Sequence, residues 1–189
     1  VHGNLPALEK MLKEERAVDQ YICLGDLVNY GPWSNECVDL ACSLSNIVLL
    51  MGNHEKSYLN GQYEGANIMV QKFFDQTITD FNRYREIAFF VPSYKLKEYT
   101  FIHSLKGLYI YPDTDIKLDG NYVIGHSHHQ YLYQNAGFLL YNPGSVGQNR
   151  DKINWINYLI IETDTMKFMF KKLYYSSKVI IREMISRKY

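Results

Sequence analysis

Apolar side chains recur at helical spacing over Leu5–Glu15 (Leu5, Leu8, Met11, Leu12), with Pro6 in the first turn, where a missing N–H costs nothing. Gln20–Leu24 is a short apolar run that ends on Gly25-Asp26, and Ile47–Met51 is a second that ends on Gly52-Asn53-His54; a helical segment, Asn35–Leu44, separates them. This alternation predicts parallel strands joined by right-handed crossovers. Sheets of that kind carry their ligands in loops beyond the carboxyl ends of the strands. From about Lys56 to Pro92 the alternation breaks, and helices over Ala66–Phe74 and Thr77–Ile87 read as an inserted cap. Strand-like runs follow at Tyr99–His103, Tyr122–Gly125, Phe138–Tyr141, Tyr158–Glu162 and Lys167–Tyr174. Turn signals at Asp119-Gly120-Asn121, Asn135-Ala136-Gly137 and Asp164 separate them. They predict a second, mainly antiparallel sheet packed on the first, closed by a helix over Val179–Arg187.

Composition changes this picture little. A chain of 189 residues suits one domain with a proper core. Lys plus Arg (20) equals Asp plus Glu (20), which argues against a broad nucleic-acid footprint while leaving local basic clusters open. The three cysteines, Cys23, Cys37 and Cys42, form no C-x-x-C pair and read as free thiols of a reducing cytosol. No apolar run approaches the ~18 residues of a membrane span and no signal peptide is visible, so the expectation is a cytoplasmic protein.

The histidines carry the chemistry. Five of the six stand in short motifs: Val1-His2-Gly3-Asn4, Gly52-Asn53-His54-Glu55, Phe101-Ile102-His103-Ser104 and Gly125-His126-Ser127-His128; Gly25-Asp26 adds a carboxylate. Imidazole and carboxylate are the ligand set of Zn, Mn and Fe. Taken singly, each signal is weak: a lone His103 reads as structural, Asp26 as a helix cap, Asn53 as a turn residue. His129 has no motif role and reads as surface. Five motifs in order suggest a site for more than one ion.

These motifs resemble the calcineurin-like metallophosphoesterase superfamily, whose pattern runs D-x-H, G-D, G-N-H-[DE], H, G-H-x-H. Gly25-Asp26-Leu27-Val28-Asn29-Tyr30-Gly31-Pro32 and the stretch from Asn142-Pro143-Gly144-Ser145 to Asn149-Arg150-Asp151 narrow the likeness to a bacterial and archaeal branch of small phosphodiesterases, often labelled diadenosine-tetraphosphatase-like. The resemblance implies an α/β fold, a four-layer αββα sandwich spanning 1–189, with the cap at about 56–92. The pattern also has an Asp two residues before His2, preceded by an apolar strand. Both would lie upstream of Val1, and two readings stay open: a sequence that starts partway into the natural chain, or a lost ligand and strand.

The resemblance further implies two divalent ions, Mn first with Fe, Zn, Co or Ni as alternatives, held by His2, Asp26, Asn53, His103, His126 and His128. Asp26 would bridge them, a metal-bridging hydroxide would attack a small phosphoester, and His54 would assist the leaving group. Glu55 would either orient a site residue or cap the following helix. Asn4 and Arg150 are candidate phosphate contacts, with a helix cap and an ion pair to Asp151 as the respective alternatives. Tyr30, Tyr58, Tyr63, Tyr109 and Tyr111 are candidates to stack on a base. A homodimer stays open, and a scaffold that has lost catalysis is the alternative to an enzyme.

Overall fold

The computed structural model describes residues 1–189. Helix α1 (Leu5–Glu14) starts where the Asn4 side chain accepts the Ala7 N–H, the role of an N-cap, with Pro6 in its first turn. Strands β1 (Tyr21–Cys23) and β2 (Ile47–Leu49) pair in parallel across α2 (Ser34–Cys42). Three helices follow, α3 (Asn53–Asn60), α4 (Ile68–Ile78) and α5 (Tyr84–Ala88). The break expected between Phe74 and Thr77 does not occur: α4 runs through it, because Val70, Phe74 and Thr77 keep one buried face. Leu27, Val28, Val38, Ala41, Tyr58, Phe74, Phe81, Ile87 and Phe90 make the core beneath these helices.

The second sheet holds five strands in the order β3-β4-β5-β7-β6, namely β3 (Ser93–Leu96), β4 (Tyr99–Ile102), β5 (Asn121–Ile124), β6 (Gln130–Asn135) and β7 (Phe138–Pro143). It is mixed rather than mainly antiparallel: β4, β5 and β7 run parallel at its centre, and β3 and β6 are antiparallel at its edges. Strands β8 (Trp155–Glu162) and β9 (Lys167–Tyr174) do not join it. They form a separate antiparallel hairpin, followed by α6 (Lys178–Ser186).

The layers meet through Leu50, Tyr99, Phe101 and Val123, packed against Ile22, Val48, Leu159, Ile161 and Phe168. Tyr141 of β7 lies flat on Phe168 of β9, with ring centroids 4.2 Å apart. The α/β sandwich expected from the sequence is therefore present. On the far face of the five-stranded sheet, Leu105, Ile110 and Leu118, from the segment between β4 and β5, cover Ile124, Tyr131 and Leu140 as the fourth layer. An apolar groove of about 670 Å³ is lined by β1 and its end (Ile22, Leu24), β8 (Leu159, Ile161), Phe101 and Val123. Strand β1 pairs only with β2, and β8 only with β9. No helix is long and apolar enough to cross a membrane.

Candidate metal centre

The motif residues other than His2 sit just past the carboxyl end of a strand or open a helix, and His2 lies in the turn ahead of α1. Asp26 follows β1, Asn53 and His54 open α3 after β2, His103 follows β4, and His126 and His128 lie between β5 and β6. Parallel strands point these ends the same way, so their loops converge. The convergence forces unusual backbone. His2 (φ 57°), Asp26 (57°), Asn29 (70°), Tyr30 (62°), His126 (66°) and His128 (62°) are all left-handed, a region that costs a non-glycine residue about 1–2 kcal/mol. Strain gathered in one place and held by surrounding structure is a mark of function.

Asp26 is the hub. Its Oδ1 accepts the His54 backbone N–H at 3.1 Å. Its Oδ2 lies 3.3 Å from His103 Nε2 and 3.7 Å from His2 Nε2. On one side, His2 Nε2 and His128 Nε2 are 3.0 Å apart. On the other, His103 Nε2 lies 3.1 Å from His126 Nδ1 and 2.9 Å from Asn53 Oδ1. Gly52 and Gly25 make this approach possible. A Cβ on Gly52 would stand 2.2 Å from Asp26 Oδ1, and one on Gly25 would stand 2.6 Å from the Gly52 nitrogen.

The second nitrogen of each ring sorts the histidines. His2 Nδ1 faces the Val28 carbonyl at 3.1 Å, His103 Nδ1 the Leu24 carbonyl at 2.7 Å, and His128 Nδ1 the Gln148 carbonyl at 3.1 Å. A carbonyl only accepts, so the ring proton belongs on Nδ1 and Nε2 offers its lone pair inward, as metal-bound histidines do. His126 has a buried Nε2 with no partner. Burial pushes the imidazoles down: His2 well below its ordinary range, His126 to about 4, with His103 adding to the shift, and His128 to about 3, partly offset by Asp26. Burial alone would raise the Asp26 carboxyl. His103, His54, His128 and the His54 amide outweigh it and hold it below the usual carboxylate range. Neutral imidazoles around an ionised carboxylate are the protonation state a metal ion requires.

Two triads have ligand atoms within 4.8 Å of one another, His2–Asp26–His54 and Asp26–His103–His126. Paired nitrogen lone pairs at about 3 Å, neutral and buried, repel unless a cation or proton lies between them. The donor set therefore fits divalent ions.

The softer candidates separate. Asn4 is buried, and its amide nitrogen donates to the Gly147 carbonyl at 2.8 Å and the Tyr175 hydroxyl at 2.7 Å, while its oxygen caps α1. Arg150 is exposed and makes no ion pair; Asp151 instead lies 3.5 Å from His129 Nδ1. The charge of Arg150 acts on His54, His128 and Tyr30, which puts it within electrostatic reach of the site. Tyr58 is wholly buried and donates to Thr77, which removes it from the stacking candidates. Tyr109 lies on His126 at 3.9 Å, Tyr63 parallel to His54 at 6.5 Å, and Tyr30 edge-on to His2 at 4.8 Å. Tyr111 packs on His129, away from these rings.

Motif reading does not reveal the role of Asn29, and it leaves Glu55 open between orienting a site residue and capping the following helix. Asn29 approaches His54 Nδ1 at 2.8 Å, and its only sequence signal is a polar residue three positions after Asp26. Glu55, fully buried, takes four backbone N–H groups, those of Asp26, Leu27, Val28 and Gly52. It both caps α3 and anchors the loop that carries Asp26.

The model of the calcineurin-like phosphoesterases matches residues 1–159. The chain belongs to the calcineurin-like phosphoesterase family. It is 27% identical over 234 residues to an uncharacterized protein, MJ0912, of Methanocaldococcus jannaschii, covering 100% of this chain and 90% of that protein. Among solved structures, the metallophosphoesterase of Sphaerobacter thermophilus superposes with a TM-score of 0.80 at 24% identity, covering 100% of this chain and 91% of the other. The hypothetical protein PH1004 of Pyrococcus horikoshii superposes with 0.74 at 17%, covering 99% and 90%. At these identities the structural likeness speaks for the fold. Membership of the calcineurin-like phosphoesterases supports hydrolysis of phosphoesters with divalent metal ions.

Proposed function

We propose that the chain is a dinuclear-metal phosphodiesterase acting on small phosphoesters, nucleotide esters foremost. One observation carries the reading: two close pairs of imidazole nitrogens, His2–His128 at 3.0 Å and His103–His126 at 3.1 Å, flank a single carboxylate oxygen of Asp26. His2, Asp26 and His128 would hold one ion, and Asp26, Asn53, His103 and His126 the other. Mn²⁺ is the first choice for both, on a mixed nitrogen and oxygen donor set. Ions bound there would polarise phosphoryl oxygens and lower the pKa of bound water.

The chain's own residues supply the rest. Asp26 would offset repulsion between two bound cations. His54, beside His2 with ring centroids 5.0 Å apart, is aimed to assist the departing oxygen. Arg150, free of any carboxylate, is available to a phosphate oxygen through its planar fork. The segment at about 56–92 would act as a cap, and its Tyr63 lies parallel to the His54 ring with centroids 6.5 Å apart.

The test is hydrolysis of bis(p-nitrophenyl) phosphate and p-nitrophenyl phosphate with and without Mn²⁺. Metal-dependent turnover that favours the diester supports the reading. Preference for the monoester makes the protein a phosphatase. Two bound ions without turnover on either ester, or on a panel of nucleotide diesters, would make it a scaffold.

A further inference from the structure

His2, His103 and His128 each turn Nδ1 to a backbone carbonyl, but His54 turns Nδ1 to the side-chain amide of Asn29, at 2.8 Å. The orientation of that amide is fixed from its other end. Asn29 Oδ1 accepts the Tyr30 backbone N–H at 2.6 Å, and a backbone N–H can only donate. The Thr77 hydroxyl also stands 3.3 Å from that oxygen. Thr77 in turn receives the Tyr58 hydroxyl at 2.5 Å. Asn29 is wholly buried, and its own N–H is held by Ser34 Oγ at 3.1 Å. The group facing His54 is therefore the NH₂, which donates and cannot accept. His54 Nδ1 must be the acceptor, and the ring proton lies on Nε2.

We propose that Asn29 is a positioning residue that holds His54 in the tautomer opposite to its three neighbours, making it a hydrogen-bond donor to the phosphoester rather than a metal ligand. The inference rests on the phosphoesterase reading for what the donor acts upon. It also refines the role. A neutral ring that carries its only proton on Nε2 cannot surrender it without becoming an imidazolate. His54 therefore stabilises charge on the departing oxygen through a hydrogen bond, and the proton that the leaving group finally takes comes from solvent. The same tautomer explains how a histidine within ligand distance of His2 and Asp26 stays off the metal: its inward nitrogen bears a hydrogen, not a lone pair.

The test is ¹⁵N NMR of the imidazole nitrogens in protein loaded with a diamagnetic ion, Zn²⁺ or Mg²⁺. The wild type should show His54 with a pyridine-type Nδ1 and a pyrrole-type Nε2, while His2, His103 and His128 show the reverse. Asn29→Asp keeps the acceptor for Tyr30 and should convert His54 Nδ1 to the protonated, pyrrole type. Asn29→Ala should lower kcat by about ten- to a hundredfold with KM and metal content unchanged. A protonated Nδ1 in the wild type overturns the proposal, as does an Asn29→Asp protein whose Nδ1 stays pyridine-type. Loss confined to KM or to metal content also overturns it. The wild-type spectrum decides even if neither variant folds. If that spectrum is as expected and no phosphoester is hydrolysed, the functional reading fails and the tautomer assignment stands.

Discussion

The Glu55 carboxylate accepts the Asp26 backbone N–H at 2.8 Å, which ties the first turn of α3 to the loop after β1. The same carboxylate takes the Leu27, Val28 and Gly52 N–H groups. Burial and the charge of Asp26 push its pKa up, and the amide donors draw it back. Two loops that each carry site residues are thus fastened by one side chain that reaches neither pair of facing imidazoles.

Glu55→Gln replaces one acceptor oxygen by an NH₂ facing backbone N–H groups. Stability should fall by about 2–3 kcal/mol, the cost of buried donors left without a charged partner. Urea unfolding measures this, and metal content should fall with it. A variant as stable as the wild type would show that the loop holds itself.

Gly52→Ala tests packing at the hub. The new methyl would stand 2.2 Å from Asp26 Oδ1 and 2.5 Å from Glu55 Oε2, so the carboxylate must move. Metal binding measured by calorimetry should weaken more than tenfold, a modest loss beside those seen when metal-site support is removed. Unchanged affinity would contradict the position assigned to Asp26.

Asp26→Ala should lose metal and turnover together, because the carboxylate faces both imidazole pairs. His54→Ala should keep its metal while kcat falls by roughly 10²–10⁴. Elemental analysis beside steady-state kinetics separates the two outcomes. If His54→Ala emptied the site, that ring would be a ligand.

Acid should destabilise the metal-free protein. Burial lowers His126 to about 4 and His128 to about 3, against an unfolded value of about 6.5. Between these limits the unfolded chain binds more protons, so stability rises with pH. This contribution is full above about pH 6.5 and is lost as pH falls toward 4. Thermal melts at pH 7.5, 6 and 5 should give a Tm that drops stepwise, and a flat or rising Tm on acidification would refute it.

The sequence made the convergence legible because each motif closes an apolar run, and runs ending in Gly25-Asp26 or Gly52-Asn53-His54 predict strands whose loops meet. The second sheet was less legible. β3 alternates exposed and half-buried residues on an edge, and β6 begins within the polar stretch after His128, so neither gives a clear apolar run. Parallel order at the sheet centre depends on which strands neighbour in space, which period-2 patterns do not encode. Asn29 was invisible for a similar reason. Its meaning lies in which way a buried amide faces, and the Tyr30 N–H and Thr77 decide that only once the chain has folded.

The most direct test of the shared carboxylate is electron paramagnetic resonance of the protein titrated with Mn²⁺. Two ions held by one Asp26 predict saturation at two per chain and the multiline spectrum of a spin-coupled pair. Saturation at one ion, or two that remain magnetically independent, would contradict it.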